Sequence, residues 1–133
     1  VITCEFIFAF QLGDGEIIYI DDNGLERVLN TEKILGVETH SLSKKDAWKN
    51  VSTRIVSRRH EEHIPFMYFL TTDGMTNSFI SEKEFHKSCS EYFEMIKKYG
   101  GKTVEENLSE WLTETSAMGC GDDISVLIAY YDE

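Results

Sequence analysis

The run Phe66-Met67-Tyr68-Phe69-Leu70-Thr71, opened by Pro65, is apolar on both faces, as a central, covered strand is. It stops abruptly at Asp73-Gly74. A second run, Ile124 to Tyr131, lies at the end of the sequence and is also apolar enough on both faces to be central. Two helical patterns lie between them. Ser81-Glu82-Lys83-Glu84 is a capping box, after which Phe85, Cys89, Tyr92, Phe93 and Ile96 recur at helical spacing until Gly100-Gly101. Thr103-Val104-Glu105-Glu106 is a second capping box, with Val104, Leu108, Trp111 and Leu112 as its apolar stripe. Each cap is worth on the order of 1 kcal/mol, so both helix starts are well marked. The stripes read as core-facing, with no cofactor box in them.

Upstream, Ile2 to Gln11 alternates, with Ile2, Cys4, Phe6, Phe8 and Phe10 sharing one face of a strand. Gly13-Asp14-Gly15 predicts a tight hairpin turn, Glu16 to Asp21 its return strand, and Asp22-Asn23-Gly24 the next turn. Leu25 to Leu29 reads as a third short strand. Residues Asn30 to Lys49 are polar and predict a loop with one short strand near Val37 to Leu42. Asn50 to Ser57 alternates again, and Arg58 to His63 is a charged turn. Strands, then two helices, then a strand argue against strict β-α-β alternation. The order predicts an α+β domain, an antiparallel sheet with helices packed outside.

A length of 133 residues suits one domain with its own core. The net charge of −11 makes nucleic acid and anionic membranes poor partners, while a bound metal can still reverse the field locally for a phosphorylated substrate. Cys4, Cys89 and Cys120 form neither a disulfide framework nor a zinc pattern, and reduced thiols fit a cytoplasmic protein. No apolar run approaches the ~20 residues of a membrane span. The start lacks a basic leader, and Val1 enters an apolar run at once, so we expect natural sequence upstream of it.

Three acidic spots share one arrangement. Asp14, Asp73, and Asp122 with Asp123 each lie where a β-run meets a glycine-containing turn. Such a turn lets a carboxylate project past the sheet end, and carboxylate oxygens are the hard ligands that Mg²⁺ and Mn²⁺ prefer. Two carboxylates ~4 Å apart repel by about 4 kcal/mol at an effective dielectric of 20, so a cluster of them calls for a cation. Each Asp-Gly alone is an ordinary turn dipeptide. His40, His60, His63 and His86 are scattered, and His60-Glu61-Glu62-His63 lacks the spacing of the zinc-protease helix.

Taken together, these turns resemble a known family. Leu70-Thr71-Thr72-Asp73-Gly74-Met75 resembles the late Asp-Gly motif of the metal-dependent Ser/Thr phosphatases of the protein phosphatase 2C (PP2C) family. Gly121-Asp122-Asp123-Ile124-Ser125-Val126 is similar to that family's terminal motif, and Gln11-Leu12-Gly13-Asp14-Gly15 to its central Gly-Asp hairpin in the form bacterial members carry. The resemblance implies a PP2C-like antiparallel β-sandwich flanked by helices. It implies that Asp73 and Asp122 ligate a binuclear Mn²⁺ or Mg²⁺ centre, that Asp14 supports it or helps a weaker third ion, and that Asp123 is structural or supports the ligands from behind. The expected substrate is a phosphorylated protein, hydrolysed at phosphoserine and phosphothreonine.

Two departures qualify that expectation. Asn77 stands where many members carry another Asp, which argues against a tight third metal. The family's early motifs, a phosphate-gripping Arg and the Asp-Gly that bridges both metals, have no counterpart here, and Arg54, Arg58 and Arg59 fall in an expected hairpin with a solvated face. Residues 1–133 are therefore expected to be the C-terminal portion of a single PP2C-like domain, nearly inactive alone. The alternative is a non-catalytic PP2C-like binding or regulatory module. A strand Ile2 to Gln11 deprived of its neighbour would pair with another chain, so the fragment is expected to dimerise through an exposed strand edge.

Overall fold

Met67 and Phe69 point to one side of their strand and Phe66 and Tyr68 to the other, and both sides are covered. This alternation sets the layering seen in the computed structural model, which describes residues 1–29, 42–57 and 65–131. The strands are β1 (Phe6–Gln11), β2 (Glu16–Asp21), β3 (Gly24–Arg27), β4 (Ser52–Ser57), β5 (Phe66–Thr71) and β6 (Val126–Tyr131). The helices are α1 (Asp73–Asn77), α2 (Glu82–Tyr99) and α3 (Gly101–Met118), with a short 3-10 turn at Ala47–Asn50. Strands β3-β2-β5-β6 form one antiparallel sheet, and β1-β4 a separate two-stranded ribbon.

The fold is α+β in three layers. On one face of the sheet, Ile18, Ile20, Met67 and Phe69 pack against Phe85, Cys89, Tyr92, Phe93 and Ile96 of α2 and Val104 of α3. On the other face, Phe66 and Tyr68 pack against Ile7 and Ala9 of the ribbon together with Val28 and Leu29. Burying a side chain of this kind contributes about 1.5–3 kcal/mol, so the two clusters are the main stabilising term. No described helix is long and apolar enough to cross a membrane.

Several sequence expectations are corrected. The Gly13-Asp14-Gly15 segment does not close a hairpin, because β1 and β2 belong to different sheets. It carries the chain between layers against the end of β5, where a Cβ on Gly15 would run into the Thr71 carbonyl. Nor is Ile2 to Gln11 one strand. The Thr3 hydroxyl accepts from the Phe6 N–H at 2.9 Å and turns the chain, so that Ile2 bridges Ile7. The phenylalanine face is the open one: Phe6 and Phe10 are 40% and 53% exposed, while Ile7 is 6% exposed. Alternation distinguishes two faces without saying which is covered.

Strand β4 pairs with β1 rather than forming a hairpin with β5, and Arg54 donates to the Val28 carbonyl at 3.1 Å. Strand β6 is a terminal strand of its sheet among the described residues, not a central one. Helix α3 begins two residues ahead of Thr103, whose hydroxyl bonds the Tyr99 carbonyl from inside the helix. The short strand near Val37 to Leu42 falls largely outside the described residues. The turn Arg58 to His63, with its His60-Glu61-Glu62-His63 stretch, and His40 lie wholly outside them.

Candidate functional site

Asp73 is the first residue of α1, a helix the sequence patterns did not announce. It is placed by its neighbours on both sides. Thr72 N–H donates to the Ser125 carbonyl at 3.1 Å, and the Thr72 hydroxyl accepts from the Ser125 N–H at 3.0 Å and donates to the Asp123 carbonyl at 3.4 Å. The end of β5 is thereby tied to the turn that leads into β6. The following residue must be glycine, because a Cβ on Gly74 would run into the Asp123 carbonyl oxygen and come within 3.5 Å of the Asp122 Cβ. The two acidic turns expected from the sequence are in contact.

Asp122 is held from behind. Its carbonyl accepts from the Ser116 hydroxyl of α3 at 2.7 Å, and its own Oδ1 accepts from the Asp123 N–H at 3.0 Å. The Cys120 thiol reaches the Gly74 carbonyl at 3.5 Å, a second contact between the turns. The free-thiol state of Cys4, Cys89 and Cys120 holds, and Cys89 is buried with its thiol pushed up to about 12 by desolvation.

Asp14 joins from the third element. A groove of about 820 Å³ beside the sheet end is lined by Asp14, Asp73 and Ser125 together with the apolar Phe10, Leu70 and Leu127. Asp122 does not line it. The structure thus brings Asp73 and Asp122 onto adjoining turns and places Asp14 and Asp73 on one groove wall. Among the described residues, no group of three or more His, Cys, Asp or Glu side chains stands ready to hold a metal ion. The donors fit a hard dication in kind, since they are carboxylates, and among the described residues they fall short of it in number. Asn77, at the end of α1, is exposed.

One charged cluster escaped the sequence analysis. Glu16 is 3% exposed, and its Oε2 lies 2.7 Å from Arg27 Nε. Arg27 also reaches Glu82 at 3.1 Å, and His86 Nε2 lies 3.6 Å from the same Glu82 oxygen. Glu16, Arg27 and Glu82 border a second cavity of about 380 Å³ that also meets Asn77 and Phe85, while Glu16 lines the acidic groove as well. A signal was present: the period of two puts Glu16 on the buried face with Ile18 and Ile20.

The family model described as "Protein phosphatase 2C" matches residues 1–113, a span that contains Asp14 and Asp73 and stops before Asp122. Neither the curated proteins nor the solved structures hold a match to this chain. With a family match over most of its length and three acidic turns at one end of an α+β sandwich, the chain belongs to the protein phosphatase 2C family.

Proposed function

We propose that the chain serves metal-dependent hydrolysis of phosphoserine and phosphothreonine esters in proteins, as the C-terminal portion of a larger phosphatase domain that supplies further donors. The observation that supports this is the close approach of Gly74, the residue after Asp73, to the Asp122–Asp123 turn. Asp73 and Asp122 would hold Mn²⁺ or Mg²⁺, binuclear in the complete domain, and Asp14 would support that centre from the groove wall. A dication bound there supplies positive charge to a phosphoryl group in a chain that otherwise repels it. The groove's apolar side, at Phe10, Leu70 and Leu127, offers a surface for the substrate polypeptide. Unpaired thiols at all three cysteines support a cytoplasmic setting.

A second reading, a non-catalytic binding module, is favoured by the shortfall of ligands among the described residues. Hydrolysis of a phosphothreonine peptide with Mn²⁺, measured for this chain and for one extended at its N-terminus, separates the two. The phosphatase reading expects little turnover from the chain alone, turnover from the extended chain, and loss of it in Asp73→Asn. Absence of turnover in both leaves the binding module.

A further inference from the structure

We propose that Thr72 is a positioning residue, whose hydroxyl sets the spacing between the Asp73 turn and the Asp122–Asp123 turn. The consequence for metal binding rests on the phosphatase reading, whereas the coupling of the two turns does not.

Thr72 occupies the N-cap position of α1, in extended backbone at φ −70° and ψ 163°. A threonine in that place ordinarily turns its hydroxyl onto the N–H groups of its own first helical turn, which have no partner inside the helix. Ser81 does so at α2, where its hydroxyl accepts from the Glu84 N–H at 3.3 Å. Thr72 makes no such bond to α1. Its hydroxyl turns instead to a segment more than fifty residues further along the chain. It accepts from the Ser125 N–H at 3.0 Å and donates to the Asp123 carbonyl at 3.4 Å.

The hydroxyl acts where the backbone ladder stops. Pairing of β5 with β6 ends at Thr71 and Val126, and the Thr72 N–H adds one bond to the Ser125 carbonyl. Beyond that bond the side chain continues the connection up to Asp123, while Asp73 follows Thr72 directly. The Asp123 carbonyl that receives the hydroxyl is also the atom that Gly74 packs against. The contact at Gly74 prevents a closer approach of the turns, and the hydroxyl bonds resist a wider one. On its other side the terminal turn is held by the Ser116 hydroxyl on the Asp122 carbonyl at 2.7 Å, so it is suspended between α3 and Thr72. The Cys120 thiol on the Gly74 carbonyl, at 3.5 Å, is a weaker tie, since a thiol is a poor donor.

The role requires a group that accepts and donates at once. Serine keeps both functions, and valine has the shape of threonine with neither. Thr72 is exposed and belongs to neither apolar cluster, so its replacement leaves the core in place.

Amide NMR of the chain, first without metal and then through a titration with Mn²⁺ alone, tests the proposal in Thr72→Val, Thr72→Ser and Ser81→Ala. Without metal, the Gly74 and Asp123 signals should move in Thr72→Val and keep their wild-type positions in the other two. With Mn²⁺, both signals should broaden at one common metal concentration in the wild type, Thr72→Ser and Ser81→Ala. In Thr72→Val the two midpoints should separate and rise at least fivefold. Ser81→Ala removes a helix cap away from the turns, so it shows whether loss of stability alone moves the midpoint. A Thr72→Val chain with wild-type signals and midpoint overturns the proposal, and so does an equal displacement in Thr72→Ser or Ser81→Ala. Signals that Mn²⁺ leaves sharp in the wild type count against the phosphatase reading, and the metal-free displacement in Thr72→Val then decides the positioning role by itself.

Discussion

The two faces of β5 are covered to different degrees. On the helix side, Met67 and Phe69 are sealed under α2 and α3 with Cys89 and Ile96. On the ribbon side, two strands cover only part of the sheet, and the groove along Phe10, Leu70 and Leu127 stays open up to Asp14 and Asp73. The closed side holds the strands in place, and the open side carries the groove that Asp14 and Asp73 line. The Asp73 turn rests on both, because Met75 of α1 is packed into the closed core two residues after the acidic carboxylate.

The largest test of this contrast is a truncation on each side. Phe69→Ala should cost about 3–5 kcal/mol, because a closed layer cannot collapse around the void. Phe10→Ala, on the open side, should cost less than about 1 kcal/mol. Urea denaturation of both variants checks the pair, and equal losses would break the comparison.

The buried pair at the seam comes next. Arg27→Ala strips Glu16 of its ion pair inside the sheet end and should cost about 3 kcal/mol. The double variant Glu16→Gln with Arg27→Met should recover most of that, since replacing both charges removes the desolvation penalty. Persistence of the full loss in the double variant would show that the packing of Arg27, not its charge, is what matters there.

Much of the closed side was legible in the sequence because its residues obey a single period. Phe85, Cys89, Tyr92, Phe93 and Ile96 repeat at helical spacing, and all of them are buried. The turns at Asp73 and Asp122 were legible as places where strands end. Their contact was not, because it depends on Gly74 lying against Asp123, a residue far off in sequence. The same limit explains the strands. Alternation marks Phe6 to Gln11 as β-structure, yet pairing with β4 rather than β2 is decided by tertiary packing. Strand β6 read as central because its composition is that of a buried strand, although it ends its sheet among the described residues.

Alkaline pH acts on the closed side selectively. Burial raises Cys89 from 9.0 and Tyr92 from 10.0, each to about 12. The unfolded chain sheds these protons first, so stability should fall as pH rises from about 9 toward 12, by about 1.4 kcal/mol per unit for each group in its window. Lys97 adds in the same direction, because the hydrogen bonds it donates to Asp22 and Glu94 raise it and its stabilisation is lost as pH climbs. Cys89→Ala should flatten the fall between about pH 9 and 10, where Tyr92 does not yet contribute. An unchanged slope in that variant would mean the thiol is hydrated in the folded state.

The smallest effect separates two sites that look alike in sequence. Both Ser81-Glu82-Lys83-Glu84 and Thr103-Val104-Glu105-Glu106 have the capping-box pattern. Only Ser81 sits outside its helix in extended backbone, with its hydroxyl accepting from the Glu84 N–H at 3.3 Å. Thr103 is the third residue of α3, where Gly100 has already taken the boundary, and its hydroxyl bonds back to the Tyr99 carbonyl at 2.9 Å. Ser81→Ala should therefore cost about 1 kcal/mol, the usual value of a cap. Thr103→Ala should be neutral or slightly stabilising, since alanine exceeds threonine in helix propensity and an internal back-bond contributes little. Thermal melts of the two variants decide it, and a loss of about 1 kcal/mol at Thr103 would place the start of α3 at Thr103 rather than at Gly101.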